Sequence, residues 1–456
     1  MNVSARYDGS SRFGSNCKWG LFPSISAGWK MNEESFMKDI KAISLLKLRA
    51  AWGTSGNDRI GDYAYQALLG TYNASWGGNL VSGTAPGNIA NNDLQWESTK
   101  SLDFGLDLNL FKNRIQMNFD YYINTTSNLL FGMPIPYTTG FSSIKTNVGS
   151  IRNRGWEVDI TSHNVVGKFN WSTTLNLSAN KNKVLDMGGI DHFISKSWDG
   201  SFLTKVGEPV SQFYCYKTDG ILKASDFDAN GTALVPIMTR QEEGNPKYVD
   251  TNKDGKITAD DYVTCGNNLP DLTYGITNRF SWNNFDLSIL VQGQFGGNVM
   301  FMGARQYDNG GGNGGNQFSR WFNCYKLDYE SIYGAGENPI PVDYLKAHNL
   351  DMSWDGSTPN PVGKMDNNDD RRIYDTTYFR IKNITLGYNC PKSMLKNSIV
   401  KGARFYLSMD NVAIFDNYRG YTPESNSFGN STTMMGVDYC TYPISKRLVF
   451  GINVTL

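Results

Sequence analysis

Apolar and polar residues alternate along this chain over long stretches, and that pattern constrains its fold more than any other feature. From Leu102 the apolar positions are Leu102, Phe104, Leu106, Leu108 and Leu110, with Asp103, Gly105, Asp107 and Asn109 between them. After a turn at Lys112-Asn113 the pattern resumes with Ile115, Met117, Phe119, Tyr121 and Ile123 against Gln116, Asn118 and Asp120. Successive side chains of a strand point to opposite faces, so each stretch is a strand with one apolar and one polar face, and the two form a hairpin. A second hairpin carries Trp156, Val158 and Ile160, a turn near Gly167, then Phe169, Trp171, Leu175 and Leu177. A third carries Leu272, Tyr274, Ile276, Phe280 and Trp282, a turn at Asn283-Asn284, then Phe285, Leu287, Ile289 and Val291. The same alternation runs from Ala403 to Met409 and from Leu448 to the terminal Leu456.

Twelve strands are predicted, at about 1–8, 20–30, 45–54, 100–110, 114–124, 154–164, 168–180, 271–282, 284–294, 378–389, 402–411 and 445–456. Soluble sandwiches and propellers also alternate, but their strands average about five or six residues. These strands run to about ten, the length that crosses a bilayer at a tilt. The links alternate as well. Those at 111–113, 165–167 and 283–284 are tight turns. Asn32–Ser44, with Phe36, Ile40 and Ile43 on one face, and the segment from Pro391 read as short helical links. The links at 55–99, 125–153, 181–270, 295–377 and 412–444 are long, and 9–19 is shorter. Short links on one side and long ones on the other are the plan of an all-β outer-membrane barrel, a transmembrane antiparallel sheet with long extracellular loops.

Composition agrees. Of 456 residues, 13% are aromatic and 19% charged, a balance that favours strands over helices. Lys+Arg and Asp+Glu both total 43, so no basic excess exists to neutralise nucleic-acid phosphates. No run of about 18 apolar residues is present, which excludes a spanning helix but says nothing against a barrel. The start, MNVSARYDGS, has neither a basic segment nor an apolar core, so it does not read as a signal peptide. The six cysteines form no CxxC pair and no zinc spacing. Three histidines and the lack of a GxSxG-type motif disfavour an enzyme.

One constellation has chemical content. Residues 250–261, within the link 181–270, read DTNKDGKITADD. Asp250, Asn252 and Asp254 fall at positions 1, 3 and 5 of a calcium loop of EF-hand type, and Gly255 at the sharp turn. Lys256 would offer its backbone carbonyl, and Ile257 takes the usual apolar place. Position 12 is Asp261 in place of Glu, whose shorter reach lowers the expected affinity. The competing reading is an acidic turn without metal. Asp366–Asp370 with Arg371-Arg372 reads as a solvated charged run. Trp76, Trp96, Trp198, Trp321 and Trp354 fall in long links, where each packs its own loop, meets a partner or stacks on a sugar ring. Trp156, Trp171 and Trp282 lie on apolar strand faces, as interfacial girdle residues do.

Several segments carry a family resemblance. ARYDGSSRFG (5–14), GLFPSISAGWK (20–30), LKLRAAWGTSGN, DLQWESTKSLDFGLD (93–107), NRGWEVDI (153–160), YVDTNKDGKITADD (248–261), PDLTYGITNRFSW (270–282), YFRIKNITLGY (378–388) and FGINVTL resemble the SusC/RagA family of TonB-dependent outer-membrane transporters. The resemblance implies a 22-stranded barrel with an N-terminal plug inside it. This sequence resembles only the C-terminal part, a little over half of that barrel, without the plug, the TonB box or the early strands. Twelve strands are then an arc of a wider barrel, with two edges left for other strands. Leu456 departs from the aromatic residue that usually ends the family.

The resemblance further implies location in the outer membrane of bacteria such as Bacteroides. It implies TonB-energised import of oligosaccharides or peptides, and a SusD-like surface lipoprotein as a lid on loops such as 181–270 and 295–377. Calcium would be structural. A calcium-dependent surface adhesin of β-rich fold is the alternative from another class.

Overall fold

The computed structural model describes every residue except 198–199, 240, 304–367, 397–398 and 430. One twelve-stranded antiparallel sheet dominates it. Its strands are β1 Asn2–Gly9, β2 Trp19–Lys30, β3 Ile43–Asn57, β4 Glu97–Leu110, β5 Ile115–Ser127, β6 Ser150–Val165, β7 Phe169–Asp186, β8 Leu272–Trp282, β9 Phe285–Phe295, β10 Tyr378–Asn389, β11 Gly402–Asp416 and β12 Arg447–Thr455. They pair strictly in chain order. All twelve expected strands are present. β1 pairs with β2 and β12 with β11, and among the described residues the two do not pair with each other. The sheet is an open arc.

Register follows the alternation. Leu106 stands opposite Leu48 and Phe119, and Phe119 opposite Val158. On the far side Leu386, Leu407 and Phe450 form one row across β10, β11 and β12. These apolar rows face outward: Leu386 is 48% exposed and Phe450 67%. Contiguous apolar rows of this size suit lipid and would associate in water. The opposite face is polar. Arg49 bridges Asp107 and Asp120 at 2.8 and 2.7 Å, and Asn383 donates to Ser408 and Asp410. That face would line the lumen.

Two glycines of the lumen face sit under tyrosine rings. A Cβ at Gly155 would stand 2.6 Å from the Tyr122 hydroxyl, and one at Gly451 2.2 Å from the Tyr406 ring. Each ring lies across its glycine partner on the neighbouring strand and fills the gap the missing side chain leaves.

The short links close tightly, with Phe111, Lys112, Asn113 and Asn283 in the left-handed region. The segment expected to be a helix over Asn32–Ser44 is not one. A 3₁₀ turn at Met31–Glu33 is followed by a chain of i→i+3 turns, with Met37 bonding Glu34, Ile40 bonding Met37 and Ile43 bonding Ile40. Phe36 packs edge-on against Trp29, and Ile43 is already the first residue of β3. The i, i+4, i+7 spacing came from one aromatic anchor and a strand start, not from a helical face. Among the described residues the second link holds one 3₁₀ turn, Lys392–Leu395, with Pro391 just before it.

Buried apolar residues concentrate in the long links. Phe202, Phe213, Met300, Met302 and Val437 form one cluster, drawn from three separate links. Strand Asn298–Phe301 pairs antiparallel with Ile373–Asp375 and parallel with Val437–Asp438, which ties the last two long links together.

Candidate functional site

The loop at 250–261 sits in the link between β7 and β8. Its turn forms because Lys253 and Gly255 take left-handed backbone, with φ of +62° and +83°. The Asp250 carboxylate accepts from the Asp254 and Gly255 N–H groups at 3.2 and 2.8 Å. Asn252 Oδ1 accepts from Asp254 N–H, and Asp254 Oδ1 from Lys256 N–H. The oxygens of positions 1, 3 and 5 therefore sit inside one compact turn. Lys256 is exposed, and only its carbonyl could serve a cation.

Asp261 differs from the others. It is fully buried and closes the loop from behind. Its Oδ1 accepts from Thr251 N–H at 2.8 Å and also from the Thr251 hydroxyl and Asn252 N–H; its Oδ2 accepts from Thr258 N–H at 2.8 Å. Burial works to raise this carboxyl, but the N–H groups of Thr258, Thr251 and Asn252 outweigh it and hold it below the usual carboxylate range. Among the described residues no three Asp, Glu, His or Cys side chains converge on one point. The donor chemistry is nonetheless that of a hard cation: carboxylate, amide and carbonyl oxygens around a tight turn. Asp261 could lend it only Oδ2, because Oδ1 already takes three donors.

Ile257 fastens the loop to an aromatic cluster. It is buried with Tyr216 and Tyr248, and Met238 and Tyr262 pack alongside. Tyr216 lies 4.9 Å from Tyr248 and 4.4 Å from Tyr262 between ring centroids. Burial first, then the neighbouring Tyr262 and Asp261, pushes the Tyr216 hydroxyl up to about 12.

The described part of the charged run before β10, residues 368–372, is a second anchor of this cluster, and there the expectation that the run is solvated is corrected; 366–367 lie outside the described residues. Asp369 is fully buried and Arg372 nearly so. Arg371 grips Asp369 with two bonds, Nε to Oδ1 at 3.0 Å and Nη2 to Oδ2 at 2.6 Å, and the Tyr248 hydroxyl donates to the same carboxylate. A charged pair that meets its partners at fixed geometry can be buried. The run's composition gives no sign of this, because Tyr248, which helps to cover it, comes from a link more than a hundred residues earlier.

Trp76 is 81% exposed, at the tip of a two-stranded hairpin, Leu69–Trp76 with Asn79–Pro86. Leu69, Tyr72 and Leu80 on this hairpin are exposed too. Trp96 is an internal strut: it packs on Phe13 and Phe22 and donates its Nε1–H to the Lys18 carbonyl. Trp198, Trp321 and Trp354 lie outside the described residues. Trp171 and Trp282 are exposed on the outer face near the short turns, Trp171 stacked on Phe280. Trp156 lies in the half of β6 nearer the long links.

Against known proteins, residues 1–212 match the family model described as TonB dependent receptor-like, beta-barrel. The chain is 36% identical over its whole length to the TonB-dependent receptor P39 of Formosa agariphila, covering 44% of that protein. It is 29% identical to the TonB-dependent receptor SusC of Bacteroides thetaiotaomicron, covering all of this chain and 42% of that one. Among solved structures, the RagAB peptide transporter superposes over 99% of this chain and 45% of that one, with a TM-score of 0.80 at 24% identity, a likeness of fold. The chain thus spans less than half the length of these relatives. Arc, register and sequence agree: over its whole length the chain is similar to part of the outer-membrane β-barrel of TonB-dependent receptors of the SusC/RagA kind.

Proposed function

We propose that this chain supplies about half the barrel wall, and the loops above it, of a TonB-energised importer that carries oligosaccharides or peptides across the outer membrane. The observation that carries the reading is the arc itself: apolar rows outside, charged and amide side chains inside, and every long link at one end. The mechanism is binding and gated passage, without covalent chemistry on the cargo. Coupling to the TonB complex belongs to parts of the relatives that lie outside the matched region.

A SusD-like lipoprotein is the proposed partner. The hairpin Leu69–Pro86 supports this, because it exposes Tyr72 and Trp76 on one face and Leu69 and Leu80 on the other. Exposed apolar residues gathered on one short element serve as contact surfaces. Calcium is proposed as a structural ion of the loop 250–261, held by Asp250, Asn252, Asp254, the Lys256 carbonyl and Asp261.

The test is uptake and co-purification by the full-length protein in cells, with wild type compared with a variant whose residues 70–85 are replaced by a short Gly-Ser turn. The expected result is an outer-membrane protein that needs detergent, takes up a glycan or peptide, and loses its co-purifying lipoprotein when the hairpin is cut back. A protein soluble in plain buffer would defeat the barrel reading. Unchanged co-purification would remove the hairpin from the interface.

A further inference from the structure

The outward face of the wall changes character toward the long links. Up β6 it runs Ile160, Val158 and Trp156, then Arg154 and Arg152. Up β7 it runs Leu175, Leu177 and Ala179, then Lys181 and Lys183. β4 does the same with Leu106, Phe104 and Leu102, then Lys100. Residues two apart share a face of a strand, so these five cations continue the lipid-facing side. All five are exposed. Register gathers them into one patch. Arg152 stands opposite Lys183 and Arg154 opposite Lys181, while Thr125 of β5 lies between Lys100 and Arg152.

Like charges directly opposite each other on neighbouring strands destabilise a sheet. Here two such pairs follow one another without compensation from the chain. Among the described residues none of the five side chains makes a hydrogen bond or an ion pair. Asp103, Asp120 and Glu157 belong to the lumen face. Asp186 lies beyond the slip in the β6–β7 ladder, and its carboxylate accepts from the Gly188 N–H. The level of the patch is set by the short links. Lys100 is ten positions from Leu110 at the end of β4, and Arg154 eleven from Val165 at the end of β6. A spanning strand needs about 9–11 residues, so the patch stands at the far rim of the apolar band, on the side of the long links. Phe104, Tyr121 and Trp156 form the row just below Arg154, and Trp and Tyr rings settle at headgroup level.

We propose that Lys100, Arg152, Arg154, Lys181 and Lys183 bind the phosphate of a phosphorylated glycolipid of the outer leaflet, whose acyl chains lie along the apolar rows below. This rests on placement in the outer membrane and not on the cargo. A phosphate between the facing pairs turns two repulsions into attractions to a common anion. The arginine forks match phosphate oxygens two at a time, and the lysines add point charge. The patch is local: the outward residues at the same end of β9 are Val291, Gly293 and Phe295, none of them charged. The wall therefore holds a lipid at one place on its circumference, over β4 to β7.

The test uses the full-length protein, stripped of lipid in detergent. Purified rough lipopolysaccharide is compared with the same preparation dephosphorylated by hydrofluoric acid, and bound lipid is counted by native mass spectrometry. The phosphorylated form should bind about a hundredfold more tightly, with about a fivefold loss for each cation removed. A variant carrying Arg152→Gln, Arg154→Gln, Lys181→Gln and Lys183→Gln should bind the two forms alike. Without lipid that variant should melt above wild type, because the facing like charges are gone, and only wild type should gain from added phosphorylated lipid. Inorganic phosphate at the same concentration should not displace the lipid, since it has no acyl chains to bury. The proposal is overturned if wild type binds both lipid forms alike, or if inorganic phosphate displaces the lipid. It is equally overturned if the variant keeps the lipid preference and loses a co-purifying protein instead, which would make the patch a protein contact. The wild-type comparisons alone decide the matter if the variant fails to fold.

Discussion

Arg380 of β10 and Glu424 of the link that follows β11 form an ion pair, Nη1 to Oε2 at 2.5 Å, with the arginine side chain only 4% exposed. The Tyr378 hydroxyl donates to the same carboxylate, and the Arg380 guanidinium lies 5.2 Å from the Tyr378 ring centre. The last long link is thereby tied to the top of the barrel wall.

Glu424→Gln should therefore loosen residues 417–446. Breaking a fully buried pair costs about 3–5 kcal/mol and an exposed one at most about 1. Glu424 keeps 29% exposure, so a cost of about 2 kcal/mol is expected. Hydrogen exchange of the full-length protein in detergent should show faster exchange in 417–446 and none in β4 or β5. Unchanged exchange would mean that apolar packing alone holds the link.

Leu407 and Ser408 are neighbours on β11 that face opposite solvents. Leu407 belongs to the exposed outer row, whereas the Ser408 hydroxyl meets Asn383 and Thr385 on the inner face. Leu407→Arg should cost about 2–4 kcal/mol of stability in a bilayer if the site is near the midplane. Ser408→Arg should cost clearly less, because the lumen is wet. Folding titrations into lipid vesicles would measure both, and equal costs would contradict the assignment of the two faces.

Calcium should protect the link 187–271 from protease, with an apparent affinity near the 10⁻⁴–10⁻³ M typical of extracellular modules. Asp261 has only Oδ2 left to share, and that oxygen already accepts from Thr258 N–H, which keeps the site out of the tight range. Asp250→Ala combined with Asp254→Ala should remove the protection and leave outer-membrane location unchanged. Protection that is equal in variant and wild type would place calcium elsewhere.

Acid should open the same loop without any metal. The Asp261 carboxyl is depressed in the folded chain, so its stabilisation is full above the unfolded value near 4 and falls away as pH drops through the lower folded value. In chelator, exchange of the Thr251, Asn252 and Thr258 amides should accelerate below about pH 4. Asp261→Asn should show fast exchange already at neutral pH. A variant with wild-type protection would show that Ile257 and its aromatic neighbours suffice.

The wall was legible in the sequence because lipid and lumen impose one rule on every strand. Its ends were not. β4 starts at Glu97 and β7 runs to Asp186, beyond the apolar alternation, because ladder hydrogen bonds continue where no lipid face has to be met. The small sheets of the long links left no trace either. Met300 pairs with Val437 and Gln212 with Asn267, between short segments whose partners lie far along the chain. The calcium-type loop was readable because its spacing is local. Burial of Asp369 was not, since it depends on Tyr248 from a link more than a hundred residues earlier.

The outward aromatics of β9 set a length. Phe285 and Phe295 are both about half exposed on the same face, ten positions apart on one strand. At about 3.4 Å per residue and a tilt of about 40°, their heights differ by about 26 Å, close to the apolar band of an outer-membrane barrel. Such a wall grips its membrane at two fixed levels, and a thicker bilayer would have to thin around it or leave one ring of aromatics stranded in hydrocarbon.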